Sequence, residues 1–284
     1  MARILKGKDV ADAINEKTIE TIQELKNKGI TPTLAIFRVG EKDEDLSYEK
    51  GTMKKCAKLG INVRNFIFDN NVSVEEFYEK LEYANEDQDI HGILVFRPLP
   101  KDRFDDERLR NSINPNKDVD GCSDLSLAGT FTNRDLGFPA CTAQASIEIL
   151  NHYNIPVEGK NIVVIGRSLV IGKPVSMMLL NRNATVTICH TKTRNLADIC
   201  SKADILICSA GRAEMVTKEF TNTDQVVIDV GINYHEEKQK LTGDVLFEEV
   251  EPFVDSITPA PGGVGAVTTS VLINHVVMAC KNKI

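Results

Sequence analysis

The sequence lacks the features that would place it in several broad classes of protein. Its 284 residues carry a formal net charge of -7, so there is no general basic surface for nucleic acid or for an acidic membrane. No apolar run approaches the length of a membrane span, and the first residues lack the continuous apolar core of a signal peptide. We therefore expect a cytoplasmic protein with neither a nucleic-acid partner nor a membrane attachment.

Clustered metal ligands and paired cysteines are also missing. The seven cysteines lie far apart without a C-x-x-C pair, and their odd number argues against a disulfide framework. The five histidines form no H-x-x-x-H pair, so no zinc site is predicted. We expect reduced thiols, no metal, and anionic ligands held by local groups.

The chain does have a regular alternation of helix and strand patterns. Its length and its 42% hydrophobic content suffice for two cores. The predicted helices of the first half cover 10–25, 46–59 and 74–83, and the predicted strands cover 33–39, 63–68 and 92–96. The acidic residues 41–45 read as a surface loop. This order of elements indicates an α/β fold with a parallel sheet.

The most informative segment covers residues 159–190. Residues 161–165 form a short β-branched run, which is typical of a strand buried on both faces, and Gly166 begins a turn. A helix is predicted from Ser168, followed by a second strand over 184–189. Because a helix N-terminus after a strand presents N–H groups to a phosphate, this βαβ unit predicts a Rossmann-type nucleotide site.

The residues around this turn favour NADP over NAD. The glycines do not follow G-x-G-x-x-G, because the next glycine after Gly166 is Gly172. The exit of the second strand lacks the carboxylate that an NAD site uses for its ribose hydroxyl. Basic and polar side chains stand nearby instead, namely Arg167, His190, Thr191, Lys192 and Arg194. These groups suit a 2′-phosphate, although they equally fit a solvated strand end.

Two further buried strands are predicted in the second half, over 203–209 and 225–230. Each closes on a glycine, Gly211 and Gly231 respectively. Ligands of parallel sheets bind at such strand ends, so we expect a nicotinamide ring to lie against backbone there.

Two turn-rich segments are candidates for contacts with a substrate. Lys117 to Gly121 contains Asp118 and Asp120, which are either ligand-binding carboxylates or simple turn formers. Residues 258–265 are dense in proline and glycine, so their backbone can approach a ligand closely. An apolar helix over 268–279 follows, and we expect it to return to the first lobe, leaving a cleft between two lobes.

Several of these motifs, in this order, resemble the methylenetetrahydrofolate dehydrogenase/cyclohydrolase family over nearly the whole chain. They are Gly166-Arg167-Ser168 with Gly172 and Pro174, Ala184 to His190, Lys117 to Gly121, Val230 to Asn233, and Pro261 to Gly265. The resemblance implies a folate-binding catalytic domain over 1–142, completed by the C-terminal helix 268–284, and an NADP-binding Rossmann-type domain over 143–267. It also implies a homodimer in tetrahydrofolate one-carbon metabolism and purine biosynthesis.

The resemblance also implies roles for particular residues. It places Tyr48 against the folate ring system and Asp120 on the pterin edge, where an aromatic face and a carboxylate suit a flat heterocycle with N–H groups. The alternative for Tyr48 is simple helix packing. Implied substrate contacts are Tyr48, Val95, Phe96, Arg97, Asp120, Pro261, Gly262, Gly263, Val264 and Gly265. Implied cofactor contacts are Gly166, Arg167, Ser168, Gly172, His190, Thr191, Gly231, Ile232 and Thr268.

Two positions depart from the family pattern. Family members carry a lysine four residues after the tyrosine and a glutamine in the strand-end motif, where this chain has Thr52 and Phe96. At about 100° per residue, Lys50 and Lys54 project away from the face of the tyrosine, so neither replaces the missing lysine. Arg97 adjoins Phe96, but a guanidinium is too basic to move protons near neutral pH.

Hydride transfer mainly needs alignment, whereas hydrolysis of the methenyl product needs general acid–base catalysis. The sequence therefore predicts NADP-dependent oxidation of 5,10-methylenetetrahydrofolate to 5,10-methenyltetrahydrofolate, with hydrolysis to 10-formyltetrahydrofolate weak or lost. The catalytic positions are Tyr48, Thr52, Phe96 and Asp120. Three alternatives remain: a fully bifunctional enzyme, a member of the amino-acid or malate dehydrogenase class, and a non-catalytic folate- or nucleotide-binding regulator.

Overall fold

The computed structural model describes residues 1–283. The strands are β1 (Arg3–Ile4), β2 (Thr33–Val39), β3 (Asn62–Phe68), β4 (Gly92–Val95), β5 (Asn161–Ile165), β6 (Thr185–Cys189), β7 (Ile205–Cys208), β8 (Val226–Asp229), β9 (Asn233–His235), β10 (Lys240–Thr242) and β11 (Ser256–Ile257). The α-helices are α1 (Gly7–Asn27), α2 (Asp43–Leu59), α3 (Val74–Glu86), α4 (Asp106–Ser112), α5 (Asp124–Thr132), α6 (Cys141–His152), α7 (Gly172–Leu180), α8 (Leu196–Cys200), α9 (Phe247–Val250) and α10 (Val264–Asn282).

The chain divides into two compact units. Unit 1 comprises Met1–Ala13, Thr130–Asn133 and Ala140–Val271, and unit 2 comprises Ile14–Gly129, Arg134–Pro139 and residues 272–283. The sequence assigned residues 1–142 to the first domain, but the first thirteen residues belong to unit 1 because β1 pairs with β11. Such a pairing joins residues far apart in the chain, so no local sequence pattern predicts it.

Unit 2 is built on a parallel sheet with the strand order β3-β2-β4. Every residue of the central strand β2 is buried, which explains why its sequence is apolar except for Thr33 and Arg38. On one face of the sheet Phe37 stacks on Phe66, with ring centroids 4.5 Å apart, and meets Phe77 at 5.7 Å. The side chain of Arg38, the next residue of β2, points to the opposite face of the sheet, where α2 lies.

Unit 1 contains a second parallel sheet, in the order β1-β11-β8-β7-β5-β6. Its inner strands β7 and β8 are buried throughout, as expected for a sheet covered on both faces. A short antiparallel hairpin, β9 and β10, follows the last of these. The α/β class with parallel sheets, predicted from the order of elements, is confirmed.

Several predicted boundaries differ from the structure, and three of them have a clear local reason or consequence. The acidic residues 43–45 are the first turn of α2 and not a loop, since carboxylates are favourable at a helix N-terminus. Helix α7 begins at Gly172 and not at Ser168, because the Ser168 Oγ accepts the N–H of Ile171 at 3.1 Å and closes a turn. Helix α10 begins at Val264, so the end of the turn-rich segment is helical.

Helix α10 is also long and apolar enough, by length and composition, to span a membrane, with a mean hydropathy of 1.3. However, 56% of it is buried inside the structure, and a buried core helix passes the same test. Its residues up to Val271 belong to unit 1 and those from Leu272 to unit 2. The helix therefore contributes core residues to both units.

Candidate functional site

The strands of the unit 1 sheet run parallel, so the loops that follow them emerge at one edge. These loops contain the candidate cofactor residues: 166–171 after β5, 190–195 after β6, 209–212 after β7, 230–232 after β8 and 258–263 after β11. This is the edge at which α/β sheets bind ligands. We call it the cofactor edge.

In the turn after β5, two glycines let neighbouring segments of backbone lie directly against each other. Gly166 has a φ of 132°, and a Cβ atom there would overlap Ser209. A Cβ atom on Gly172 would overlap the backbone of Gly166, so α7 begins directly against the turn. Arg167 and Ser168 are exposed beside the first amides of α7. This geometry fits a phosphate held by helix N–H groups and a guanidinium.

The exit of β6 orients a histidine. The Nδ1 atom of His190 accepts the N–H of Lys192 at 3.1 Å, so the hydrogen of the neutral ring lies on Nε2. The N–H of His190 donates to the Thr193 hydroxyl at 2.9 Å, which fixes the start of the loop. Thr191, Lys192 and Arg194 are exposed. The loop thus presents several hydrogen-bond donors on one surface.

The remaining candidate residues of unit 1 include an exposed isoleucine and the turn-rich segment with the start of α10. Ile232 is 57% exposed, and a Cβ atom on Gly265 would stand 2.9 Å from its Cδ1. The carbonyl of Gly262 accepts the N–H of Gly7 at 2.9 Å, which ties the turn to the start of α1. The Thr268 hydroxyl donates to the Val264 carbonyl of its own helix at 3.2 Å.

In unit 2 the structure brings two candidate substrate residues together. The rings of Tyr48 and Phe96 lie 5.6 Å apart between centroids, at an angle of 53°. Phe96 is buried, whereas Tyr48 is 37% exposed. Part of the Tyr48 ring is therefore accessible, and Phe96 packs against the ring from the protein interior.

Position 52 holds a fully buried threonine. Thr52 is 0% exposed, and within residues 1–283 its Oγ1 atom has no hydrogen-bond partner. It shares the buried face of α2 with Glu49, Cys56 and Leu59. Lys50 and Lys54 are exposed, which agrees with their expected projection away from this face. The helix therefore offers no ammonium group at position 52 or from these two neighbours.

A buried ion pair that sequence reasoning missed lies next to this position. The Nε atom of Arg38, in β2, lies 2.5 Å from an Oε2 of Glu49, in α2, and both side chains are almost fully buried. The Arg38 guanidinium also donates to the Gly40 carbonyl. An arginine within an apolar strand was the available signal, because a buried charge requires a partner.

Arg97 lies between two carboxylates. Its Nη1 lies 3.4 Å from Asp106 and its Nη2 lies 3.6 Å from Asp120. Burial opposes the charge, but Cys122, Asp120 and Asp106 outweigh it and raise the pKa of Arg97 above its ordinary value. Arg97 therefore stays charged and holds Asp120 in place. Val95, the last residue of β4, is buried.

The segment that carries Asp120 is held at each preceding residue. The Lys117 Nζ donates to the carbonyls of Ala84 at 2.9 Å and Asp87 at 2.7 Å. The buried Asp118 carboxylate accepts hydrogen bonds from the N–H groups of Cys122 at 3.0 Å and Ser123 at 2.8 Å and from the Ser126 hydroxyl at 2.6 Å. Asp118 is thus a structural anchor for the turn, and Asp120 is the carboxylate left partly exposed.

A buried histidine supports the same segment from α10. The Nδ1 of His275 donates to the Val119 carbonyl at 2.9 Å, and its ring stacks on Phe138 with centroids 4.8 Å apart. Burial lowers the pKa of His275 to about 4, although the bond to Val119 and the charge of Asp118 act in the opposite direction. The imidazole is therefore neutral throughout the physiological pH range.

This histidine predicts a pH dependence of stability. The unfolded chain binds a proton at an ordinary histidine pKa of about 6.5, whereas the folded chain does so only near 4, so stability is present above pH 6.5 and lost as the pH falls. We expect the contribution of His275 to fall by about 2 kcal/mol between pH 7 and pH 5. Urea unfolding of His275→Gln should show a shallower pH slope than wild type, and the same change at exposed His152 should not.

Among residues 1–283, no group of three or more histidine, cysteine or acidic side chains is arranged to hold a metal ion. In unit 1, exposed cationic side chains can hold an anion. In unit 2, Tyr48 and Phe96 provide aromatic rings and Arg97 fixes a carboxylate, whereas the buried residues of α2 include no lysine.

Two models of known protein families match the chain, one in each half of the sequence. The model of the tetrahydrofolate dehydrogenase/cyclohydrolase catalytic domain matches residues 5–120. The model of the NAD(P)-binding domain of the same family matches residues 140–284. The candidate residues of each unit therefore fall in domains of one family.

Individual relatives agree over the full length. The chain is 49% identical over 282 residues to the bifunctional protein FolD of Carboxydothermus hydrogenoformans, covering 99% of this chain and 98% of that one. The crystal structure of the bifunctional enzyme FolD from Campylobacter jejuni matches with a TM-score of 0.96 and 36% identity over 100% of both chains. FolD of Trypanosoma brucei, solved with NADP and an inhibitor, matches with a TM-score of 0.93 and 31% identity, covering 99% and 98%. The chain belongs to the tetrahydrofolate dehydrogenase/cyclohydrolase family.

Proposed function

We propose that the protein oxidises 5,10-methylenetetrahydrofolate to 5,10-methenyltetrahydrofolate with NADP. The observation that carries the proposal is the match of the chain to one family's two domains, with Gly166, His190 and Gly231 of unit 1 at or directly after strand ends. When bound, NADP accepts the hydride. The chain's own residues would hold the phosphates at Gly166 to Gly172 and support the pterin with Tyr48 and Asp120.

The test is the absorbance of reduced nicotinamide in a mixture of purified protein, NADP and methylenetetrahydrofolate. We expect NADPH to form only when the folate is present. Malate and amino acids in place of the folate should give no NADPH, which separates this function from the related dehydrogenase classes. Binding of NADP without any turnover would instead indicate a regulator and would contradict the proposal.

We propose NADP and not NAD as the cofactor because the cofactor edge presents cations and no carboxylate beside His190. Replacing Arg167 by methionine keeps the aliphatic stem and removes the charge. We expect the KM for NADP to rise by about 10- to 100-fold, since hydrogen bonds to charged groups contribute about 1.5–3 kcal/mol. The KM for NAD should change little.

The matched control is Lys202→Met, which removes an exposed cation of unit 1 that pairs with Asp198 at 2.8 Å. Its KM for NADP should equal that of wild type. An Arg167→Met variant whose KM values for NADP and NAD rise by the same factor would show that the arginine does not recognise the 2′-phosphate.

We further propose that hydrolysis of the methenyl product is weak or lost. Support comes from the buried Thr52, the buried Phe96 and the exposed positions of Lys50 and Lys54. Arg97 does not substitute for an amine because its charge is held by two carboxylates. The alternative is a fully bifunctional enzyme, as the names of the relatives state for those proteins. The rate of methenyl hydrolysis distinguishes the two.

We also propose that the protein acts as a homodimer in the cytoplasm and supplies one-carbon units for purine biosynthesis. Support for self-association comes from β6, which is an edge strand of its sheet and carries the exposed Ile188. The nearby Leu180, at the end of α7, is 52% exposed. Sedimentation equilibrium at micromolar concentration should give twice the chain mass.

A further inference from the structure

Two buried carboxylates lie at the cofactor edge and have no part in the proposed hydride transfer. Asp229, the last residue of β8, is 4% exposed, and Asp244, which follows β10, is 0% exposed. One Asp229 oxygen accepts the N–H of Gly231 at 3.0 Å and that of Asp244 at 3.1 Å. The other accepts the N–H of Val245 at 3.0 Å. Asp229 therefore joins the loop after β8 to the turn after β10.

Asp244 binds the loop after β7. Its Oδ2 accepts the N–H groups of Ala210 at 2.6 Å and Gly211 at 3.2 Å, and its Oδ1 accepts that of Arg212 at 2.9 Å. The same Oδ1 accepts the side-chain amide of Asn233 at 2.9 Å. Successive backbone N–H groups that converge on one anion form a nest, which in other proteins binds phosphate. In this chain the nest is filled by its own carboxylate.

Two glycines permit this arrangement. A Cβ atom on Gly231 would overlap the Asp244 carboxylate, and one on Gly243 would overlap the Asp229 carboxylate. The loops therefore lie against the carboxylates with no side chain between them. Burial raises the pKa of Asp229 to about 7, and the amide hydrogen bonds act against that shift. The hydrogen bonds that the backbone amides donate to Asp229 and Asp244 offset the cost of burying two carboxyl groups side by side.

The turn after β5 and the loop after β7, which follow neighbouring strands, thus differ in what they offer an anion. The turn after β5 has exposed Arg167 and Ser168 beside the amides of α7, so it is open to phosphate. The amides of the loop after β7 are already taken by Asp244. A negatively charged group is repelled there, whereas an uncharged or cationic ring is not.

We propose that Asp229 and Asp244 are positioning residues that hold the loops after β7 and β8 in the shape that receives the nicotinamide end of the cofactor, with Asp244 excluding phosphate from the β7 loop. The inference rests on the proposed NADP-dependent function. Neither carboxylate touches the reacting atoms. Asp229 acts through the backbone of Gly231, and Asp244 acts through the backbone of residues 210–212.

The test compares two ligands on Asp244→Asn and Asp229→Asn. An asparagine amide places an NH₂ group against backbone N–H donors, so the loops shift. We expect the Kd of NADP to rise at least about tenfold, which corresponds to a loss of about 1.4 kcal/mol of binding free energy. The Kd of 2′,5′-ADP, which carries only the adenosine end, should stay within about twofold of wild type because its proposed contacts are the turn after β5 and the loop after β6, which Asp229 and Asp244 do not bind.

The matched control is Asp204→Asn. Asp204 also accepts a backbone N–H, that of Asn161 at 2.7 Å, but at the amino end of the same sheet. Neither Kd should change in this variant. The milder Asn233→Ala removes a single donor to Asp244 and should weaken NADP alone, in the same direction.

Equal loss of both ligands in the Asp229 and Asp244 variants would show general damage and overturn the proposal, as would unchanged NADP binding. Both dissociation constants can be measured without folate. A wild-type protein that binds NADP but fails to turn over the folate would therefore count against the proposed reaction and not against this inference.

Discussion

Purified protein is expected to hydrolyse 5,10-methenyltetrahydrofolate at least about 100-fold more slowly than it transfers hydride. Hydrolysis requires a base to deprotonate water and an acid to protonate the ring nitrogen, and such catalysis contributes about 10²–10⁴ in rate. The buried face of α2 carries Thr52 where an amine would be needed, and Phe96 fills the space beside Tyr48. Loss of methenyl absorbance, corrected for spontaneous hydrolysis, measures the rate directly.

The converse experiment restores the two missing side chains with the double substitution Thr52→Lys and Phe96→Gln. We expect it to raise the hydrolysis rate, but only in part. Residue 52 lies three positions from Glu49 on the same buried face, so a lysine there would pair with a carboxylate that already binds Arg38. The control is Thr52→Met with Phe96→Gln, which adds the length without the amine and should leave hydrolysis at the wild-type level.

Two outcomes would contradict this prediction. Wild-type hydrolysis at a rate comparable with hydride transfer would identify a fully bifunctional enzyme. A methionine variant as active in hydrolysis as the lysine variant would show that space at position 52, and not the amine, limits the reaction.

The largest expected loss of stability follows from Arg38→Leu. The substitution leaves Glu49 as an unpaired carboxylate in a buried site, and breaking such a pair costs about 3–5 kcal/mol. The double variant Arg38→Leu with Glu49→Leu removes both charges and should recover most of that loss, because well-packed apolar residues replace buried ion pairs at little cost. Urea unfolding of wild type, Arg38→Leu, Glu49→Leu and the double variant gives the coupling free energy.

An exposed ion pair of the same unit provides the control. Lys281 lies 3.0 Å from Glu24, and both side chains are about half exposed, so Lys281→Met should cost less than about 1 kcal/mol. Equal losses in Arg38→Leu and Lys281→Met would show that burial of the first pair contributes nothing. Because α2 carries Tyr48, the Arg38 variant should also raise the KM for the folate.

Local patterns predicted much of the fold from the sequence. The strands 33–39 and 161–165 have the predicted bounds, because a β-branched apolar run between turn residues has few other solutions. The turn at Gly166 and the missing lysine at position 52 could likewise be identified directly. The start of α2 was missed although its acidic first turn is itself a helix signal.

The sequence by itself determined the α/β class, the parallel sheets, the glycine turn after β5 and the substitutions at Thr52 and Phe96, since each depends on residues close together in the chain. Only the tertiary structure decided the pairings of Arg38 with Glu49, of His275 with Val119 and of Asp244 with the loop after β7. A buried polar group needs a partner, but periodicity along the chain does not specify which distant residue supplies it. The folded backbone makes that choice by bringing strand ends and helix faces together.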